Sequence, residues 1–195
     1  VFYPTGGGQP GDSGMLVWGG TRMAIATAVK AEGGQVALVP AEAAPLPPAG
    51  TPVTQRIDWD RRHRHMRVHT ALHLLSVVIP LPVTGGQIGA GRGRLDFDMP
   101  DPPENLAGIE GQLNALVARD LPVQTDWITE DALLANPGLV KTLSVKPPMG
   151  RAGCGWCGSA SGPNRWTCSP AAAPMWRAPA KSGRSSLAKS KRRAG

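Results

Sequence analysis

The sequence is poor in the residues that mark disulfide-stabilised, membrane-spanning or exported proteins. It contains three cysteines, all after residue 150, and only one tyrosine and two phenylalanines. No run of about 18 apolar residues is present, so we expect no membrane span. The first residues do not form a basic segment followed by an apolar stretch, so we expect no signal peptide. Because residue 1 is not methionine, we expect a chain truncated at its start or begun at an alternative codon.

Acidic residues are also missing from 151–195, which holds nine lysines and arginines. Residues 1–150 hold twelve basic and fourteen acidic residues and so carry −2, and the +9 of 151–195 brings the net charge of the whole chain to +7. The segment has no valine, isoleucine, phenylalanine or tyrosine, and its only leucine is Leu187. Such a composition cannot bury enough apolar surface to offset the entropy of ordering, so 151–195 is predicted to be a basic, disordered tail.

Residues 1–57 alternate short apolar runs with glycine-rich turns, a pattern typical of an all-β module. We expect a small β-barrel or open barrel-like module that ends near Ile57. Its strands are predicted at Met15–Trp18, Met23–Val29, Val36–Val39 and Val53–Ile57, the last of which would close the sheet.

Residues 58–150 place helices and strands in blocks, which predicts an α+β domain. Asp58 or Asp60 can cap a helix that runs to about Val78, before Pro80. After it we expect a glycine-rich turn and a strand at Arg94–Met99. The remaining predicted elements are a helix at 103–119 with Ile109, Leu113, Leu116 and Val117 on its inner face, a strand at 121–129, the short helix "EDALLA" and a strand at 139–145.

The first of these helices carries two histidines four residues apart, His69 and His73, in the string "MRVHTALHLLSVV". They share a helix face with Met66, Thr70 and Val77, and they could hold a metal at about 2.0–2.1 Å from each nitrogen. The alternative is a pair of partly buried structural histidines. A zinc peptidase would have glutamate where Thr70 stands, so that class is disfavoured. A catalytic zinc usually takes three protein ligands, so at least one is still missing.

Three further motifs each have a functional and a structural interpretation. "GGGQPGDSG" (6–14) lacks the lysine of a phosphate-binding loop and is explained equally well as a turn that needs positive φ. "RRHRHMR" (61–67) could contact phosphates through arginine or be a solvated helix start. Cys154 and Cys157 could form a zinc or redox pair, but they lie in a segment without a core.

Three segments, in this order, together resemble one family: "FYPTGGGQPGDSG" (2–14), "DWDRRHRHMRVHTALHLLSVVI" (58–79) and "GRLDFDMP" (93–100). They are similar to the alanyl-tRNA editing proteins, free-standing relatives of the editing domain of alanyl-tRNA synthetase. The resemblance covers essentially all of 1–150. It implies a β-barrel-like module followed by an α+β editing domain of the threonyl/alanyl-tRNA synthetase type. The implied activity is cytoplasmic, zinc-dependent hydrolysis of the ester that joins a wrong amino acid, typically serine, to tRNA(Ala).

The resemblance also implies a site. Zinc (Zn2+) would be held by His69 and His73 together with a cysteine and a histidine from a later "PCGGTHV"-like motif. Gly7, Gly8 and Gln9 would line the editing pocket, with Gln9 near the aminoacyl end, and Thr70 is also assigned to substrate binding. The resemblance leaves the general base unassigned.

The later motif is absent, and "SPAAAPMW" (169–176) stands in the chain instead. If the codons are read one base earlier, suitable third bases turn this string into Pro-Cys-Gly-Gly-Thr-His-Val. The valine is forced, because the Met175 codon ends in G and the Trp176 codon begins with TG. The same shift turns 153–160 into Val-Arg-Leu-Val-Arg-Ile-Gly, an alternating strand. We therefore hypothesise a one-base frameshift between about Pro148 and Cys154, which also explains the unusual charge and cysteine content of the tail.

As written, the chain keeps only two of the implied zinc ligands, so we expect it to bind zinc weakly and to edit poorly. The alternative, from a different functional class, is a non-catalytic RNA-binding module that uses the basic tail. A steep salt dependence of RNA binding that is lost on deletion of 151–195 would favour that alternative.

Overall fold

The computed structural model of the protein describes residues 2–135 and 154–159. Within these residues it has antiparallel sheets together with helices, which confirms the predicted mixed α+β class. The strands are β1 (Gly14–Trp18), β2 (Thr21–Lys30), β3 (Val36–Pro40), β4 (Thr54–Ile57), β5 (Val83–Ile88), β6 (Gly93–Phe97), β7 (Val123–Ile128) and β8 (Cys154–Ser159). The helices are α1 (Trp59–Val78), α2 (Leu106–Ala118) and α3 (Glu130–Leu134), and a short 3-10 turn occupies Glu32–Gly34.

The first four strands form one antiparallel sheet in the order β3-β2-β1-β4. All four predicted strands are confirmed, and the last of them joins the sheet by pairing with β1. The hairpin between β1 and β2 turns through Gly19 and Gly20, whose φ values of 48° and 81° suit a tight turn with two left-handed residues. One face of the sheet carries the core: Phe2, Leu16, Met23, Ile25 and Ala28 are buried, with Trp18, Leu38 and Ile57 packed against them.

Helix α1 begins and ends close to the predicted positions. The Asp58 side chain accepts a hydrogen bond from the backbone N–H of Arg61 at 3.0 Å, so Asp58 is the N-cap. The backbone N–H of Asp58 also donates to the Ser13 carbonyl at 2.9 Å. This bond fixes the start of the helix against the end of the N-terminal loop, and the helix ends at Val78.

The glycine-rich segment after α1 differs from its prediction. Its first part is the strand β5 rather than a turn, and β5 pairs with β6. A Cβ added at Gly86 would lie 3.1 Å from the Arg94 carbonyl oxygen, so glycine here permits a close approach of two backbones. The turn is confined to the residues between the strands, where the Gly89 N–H donates to the Arg92 carbonyl at 2.8 Å.

The elements after residue 100 follow the predicted order. Asn105 caps α2 by accepting from the Gly108 N–H at 2.7 Å, so this helix begins three residues later than predicted. Of its four predicted inner residues, Leu113 is buried and the other three are half-buried. Strand β7 and helix α3 lie where they were predicted, and the strand predicted at 139–145 lies outside the described residues.

Six residues of the segment predicted to be a disordered tail form strand β8, and the rest of that segment lies outside the described residues. Strand β8 pairs antiparallel with β7, from Val123 opposite Ser159 to Ile128 opposite Cys154. A ladder of backbone hydrogen bonds does not need an apolar side chain at every position, so a segment with few apolar residues can still form a strand.

The chain divides into two compact units, one of Val1–Thr70 with Gly85–Leu95, and a second of Ala71–Thr84 with the described residues from Asp96 onward. In the described part of the chain, no helix is both long enough and apolar enough to cross a membrane.

Candidate functional site

The N-terminal loop folds back on itself in a tight turn made by Gly7 and Gly8. The backbones of Gly6 and Gln9 exchange two hydrogen bonds of 3.0 Å each. Gly7 and Gly8 both have positive φ, 58° and 75°, as a type I′ turn requires. The glycine motif is therefore used for backbone conformation, in agreement with its structural interpretation. The turn also fixes the position of Gln9, the residue that follows it.

The backbone around Gly8 and Gly11 leaves no room for a side chain. A Cβ at Gly8 would lie 3.0 Å from the Gly86 carbonyl oxygen, and the Gly8 carbonyl accepts from the Ile88 N–H at 2.9 Å. A Cβ at Gly11 would lie 2.0 Å from the Ala28 carbonyl oxygen, which is shorter than any contact such atoms can make. The loop is thus held against β2 on one side and against β5 on the other.

Gln9 is buried to 1% exposure and faces α1. Its Oε1 lies 3.0 Å from Nδ1 of His69. Its Nε2 is buried and has no hydrogen-bond partner among the residues that the structure describes. A buried amide donor left without an acceptor costs about 1–3 kcal/mol, so this N–H is a natural place for a ligand oxygen.

The contact with Gln9 sets the chemistry of His69. Because Oε1 can only accept, the hydrogen of the His69 ring lies on Nδ1 and the lone pair lies on Nε2. This is the usual arrangement for a histidine metal ligand, whose second nitrogen donates to a neighbouring acceptor. His69 is half-buried, His73 lies one turn further along α1 and is half-buried, and Thr70 is exposed.

A buried ion pair joins the N-terminal loop to α1, and sequence reasoning missed it. Asp12 is 1% exposed, and its carboxylate accepts from Arg62, with Nε at 2.8 Å from each oxygen and a further bond from Nη2. The same carboxylate accepts from the Tyr3 N–H at 2.6 Å. On the same side of α1, Arg61 Nη1 donates to the Gly11 carbonyl at 2.8 Å. These two arginines hold the loop that carries Gln9.

Tyr3 and Thr5 brace the loop from within. The Tyr3 hydroxyl donates to the Gly6 carbonyl at 3.0 Å. Burial raises the pKa of Tyr3 above its ordinary value of 10.0, and the nearby charge of Asp12 raises it further. Thr5 Oγ1 accepts from the Gly11 N–H at 2.9 Å and donates to the Ala28 carbonyl at 3.2 Å. The Tyr3 hydroxyl bond therefore lies within the loop, whereas the Thr5 hydroxyl joins the loop to β2.

His65 is a buried histidine that sequence reasoning missed. It is 2% exposed, and its Nδ1 has no hydrogen-bond partner in the described residues. Burial lowers its pKa below the ordinary 6.5, and the Arg61 charge lowers it further, while Asp12 and Asp58 act in the opposite direction. One sequence signal existed: His65 precedes His69 by four residues and so falls on the same side of the helix.

The described residues do not complete a metal site. Across 2–135 and 154–159, no group of three or more histidine, cysteine, aspartate or glutamate side chains is positioned to hold an ion. Helix α1 supplies two imidazoles, His69 and His73, which is fewer than the three protein ligands of a catalytic zinc. The cysteine and histidine of the shifted motif would fall outside the described residues.

Comparisons with known proteins give relatives over most of the chain, although no family model matches it. The alanyl-tRNA editing protein AlaX-M of Saccharolobus solfataricus is 29% identical over 154 residues, which are 76% of this chain and 64% of that protein. The AlaX-M of Methanosarcina acetivorans is 36% identical over 63% of this chain and 54% of that protein. The alanine–tRNA ligase of Pyrococcus furiosus is 35% identical over 66% of this chain and 15% of the ligase. The chain thus spans between about half and two-thirds of the editing proteins it matches, and the resemblance inferred from three sequence motifs is confirmed.

Proposed function

We propose, from the premise that this chain is a relative of the alanyl-tRNA editing proteins, that it belongs to the proofreading of alanine-tRNA aminoacylation. Its reaction would be hydrolysis of the ester between tRNA(Ala) and a wrongly attached amino acid, with serine as the expected substrate. The specific editing-domain fold of this family is part of the same proposal. The mixed α+β architecture of the described residues supports it.

The observation that carries the proposal is the buried contact between Gln9 and His69. An ester hydrolase has to stabilise the negative charge that develops on the acyl oxygen, and a fixed N–H donor in a water-poor site does this well. The Gln9 Nε2 is such a donor, since it is buried and unpaired among the described residues. We propose that it donates to the acyl oxygen of the substrate, while its Oε1 keeps the His69 ring in one orientation.

The turn at Gly7 and Gly8 supports the same site. Because both glycines adopt positive φ, the backbone reverses directly before Gln9 and presents it to α1. We propose that these two glycines line the site through their backbone. Thr70 is exposed on α1, and its role in substrate binding stays a prediction.

Zinc stays part of the proposal, but the described residues alone do not fit it. His69 and His73 would hold the ion, and when bound it would supply a Lewis acid next to the ester. Helix α1 offers two donors, and a catalytic zinc needs a third protein ligand. The frameshift hypothesis accounts for the missing donors, because the shifted frame contains a cysteine and a histidine in the string Pro-Cys-Gly-Gly-Thr-His-Val.

Sequencing the gene between the codons of Pro148 and Cys154 tests that hypothesis directly. An extra or missing base relative to an independent read, or an overlapping frame that encodes the shifted motif, would support it. An error-free frame in which the shifted reading lacks that motif would end it.

The activity is tested by following deacylation of Ser-tRNA(Ala) by two purified proteins, the chain as written and a chain whose frame is restored after residue 148. We expect slow deacylation and weak zinc binding for the first, and fast deacylation with stoichiometric zinc for the second. Tight zinc and robust deacylation by the chain as written would contradict the frameshift proposal. RNA binding without deacylation by either protein would favour the non-catalytic alternative.

Discrimination against serine rests on a hydroxyl that alanine lacks. A hydrogen-bonding site can reject or accept such a group with a large free-energy difference, because a buried polar partner is otherwise left unpaired. We propose that Ser-tRNA(Ala) is hydrolysed faster than Ala-tRNA(Ala). Side-by-side deacylation rates for the two substrates check this preference.

A further inference from the structure

The basic run at 61–67 divides into residues that contact the rest of the protein and residues that are exposed to solvent. Arg61 and Arg62 point into the protein and bind the N-terminal loop, and His65 is buried. Arg64 and Arg67 are exposed. In the described part of the chain, neither of these two forms an ion pair, whereas Arg62 is paired with Asp12. Part of the motif therefore supports the fold, whereas Arg64 and Arg67 are exposed and make no ion pair among the described residues.

The unused arginines share their side of α1 with an exposed aromatic pair. Trp59 is 54% exposed, and its indole is stacked on the His63 ring, with centroids 6.1 Å apart and planes inclined by 10°. Trp59, His63 and Arg67 follow each other at intervals of four residues, so they form one row along the helix. We call Trp59, His63, Arg64 and Arg67 the outer row of α1.

A large exposed indole next to exposed arginines can bind both parts of a nucleotide, the base and the phosphate. A flat aromatic platform stacks on any nucleic-acid base, and this stacking does not depend on sequence. The planar guanidinium of arginine matches the geometry of a phosphate. An acidic protein partner would use the arginines but leave the stacked rings without a role, so the chemistry favours RNA.

We propose that the outer row of α1 binds single-stranded RNA, with an unpaired base stacked on Trp59 and phosphates bound by Arg64 and Arg67. This proposal rests on the proposed function in one respect: the RNA is taken to be the single-stranded 3′ end of the tRNA substrate. The row continues along α1 to Thr70, the residue next to His69. From Trp59 to Thr70 the helix rises about 16 Å, so a strand bound along the row would end beside the candidate site.

One acidic residue tempers the charge of this surface. Asp60 is exposed on the same side of α1, one turn before Arg64. Its negative charge offsets part of the attraction, so we assign two phosphate contacts to the surface and no more. Two phosphate contacts predict a definite change in the salt dependence of RNA binding.

The first experiment measures binding of uncharged tRNA(Ala) and of a single-stranded RNA oligonucleotide at several salt concentrations. The variants are Trp59→Ala and the double variant Arg64→Ala/Arg67→Ala, both in the full chain. Loss of two phosphate contacts to a single strand should reduce the slope of log K against log salt by about 1.4. Loss of the stacking platform should weaken binding about tenfold and leave that slope nearly unchanged.

Arg22→Ala is the matched control, because Arg22 is an exposed arginine of the same compact unit that lies on β2. It should bind RNA as the unmodified chain does. Equal losses for Arg22→Ala and for the double variant would overturn the proposal, since they would indicate a general charge effect. Unchanged RNA binding by both outer-row variants would also overturn the proposal. So would complete loss of RNA binding by a chain that lacks 160–195 but keeps the outer row unchanged.

A small substrate separates this proposal from the proposed function. A seryl ester of a single nucleoside has no RNA strand for the outer row to bind. If both proposals hold, outer-row variants of the frame-restored protein hydrolyse this ester as the frame-restored protein itself does but deacylate Ser-tRNA(Ala) more slowly. If the hydrolase proposal fails, neither substrate is cleaved, and the RNA-binding measurements still decide the outer-row proposal. Selective binding of an acidic protein with no RNA binding would overturn it.

Discussion

The two sides of α1 carry the same kinds of residues, but those on one side contact the N-terminal loop and those on the other are exposed. On the inner side, Arg61 binds the Gly11 carbonyl and Arg62 binds the Asp12 carboxylate, both in the N-terminal loop, and His69 is hydrogen-bonded to Gln9. On the outer side, Arg64 and Arg67 are exposed. The composition of the two sides is alike, so position in the helical period decides which charges hold the fold and which are left for a partner.

The ion pair on the inner side of α1 shows how charged side chains can be buried in this protein. Asp12 and Arg62 are removed from water together and satisfy each other with several hydrogen bonds. A buried pair of this kind contributes little net stability compared with an apolar pair, but removal of one partner leaves a costly unpaired charge. The comparison between the two sides can therefore be tested by removing single partners.

The largest expected effect comes from Asp12→Ala. This change leaves the Arg62 guanidinium, whose side chain is 12% exposed, without its carboxylate, so we expect the free energy of unfolding to fall by up to about 3–5 kcal/mol. Urea denaturation followed by circular dichroism measures it. Asp60→Ala, which removes an exposed carboxylate from the outer side, is the control. A loss below about 1 kcal/mol for Asp12→Ala would mean that the ion pair does not hold the loop.

The next effect concerns catalysis at Gln9. In the frame-restored protein, Gln9→Ala should lower kcat for Ser-tRNA(Ala) by about 10²-fold, the usual cost of losing one donor to a developing oxyanion. Gln9→Glu keeps an acceptor for His69 but replaces the Nε2 donor with an oxygen, so it should be similarly slow. Activity of Gln9→Glu close to that of the unmodified protein would show that the donor is not used.

A smaller effect is expected from His65 as the pH falls. Because burial lowers the pKa of His65 in the folded chain, the unfolded chain takes up a proton near pH 6.5 before the folded chain does. The free energy of unfolding should therefore decrease as the pH falls below about 6.5. His65→Gln should show a shallower decrease over the same range in urea denaturation at each pH. Identical pH dependence in the two proteins would contradict this prediction.

The smallest effect is expected on the outer side. Arg64→Ala and Arg67→Ala each remove an exposed charge, so the free energy of unfolding should change by no more than about 0.5 kcal/mol. Thermal and urea denaturation check this. A loss of 2 kcal/mol or more from either change would mean that the outer arginines support the fold, and the contrast between the two sides would disappear.

Local patterns were sufficient to predict the first four strands and α1, because strands, turns and helix starts depend on neighbouring residues. They left the cap of α1 open between Asp58 and Asp60, and the structure assigns it to Asp58. Strand β5 was missed because two adjacent glycines normally indicate a turn. Here Gly86 is needed because the Arg94 carbonyl comes too close for a Cβ. A contact between residues distant in sequence created that requirement, and no local pattern contains it.

The candidate site was predicted in the same uneven way. Periodicity placed His69 and His73 on one helix, and the resemblance to a known family assigned Gln9 to the substrate site. Neither gave the Gln9–His69 bond or the Asp12–Arg62 pair, each of which joins residues at least 50 positions apart. Helical spacing predicts which residues lie on the same side of a helix, but it does not predict which other residues pack against that side.

The absence of a side chain at Gly11 has a consequence for how substrate would be bound. With the Ala28 carbonyl only 2.0 Å from the place of a Cβ, the loop can lie against β2 only if this residue is glycine. The loop is therefore shaped when the chain folds and does not have to be ordered when a ligand arrives. A rigid loop gives up little conformational freedom on binding, so more of the interaction energy remains for selecting between two similar acyl groups.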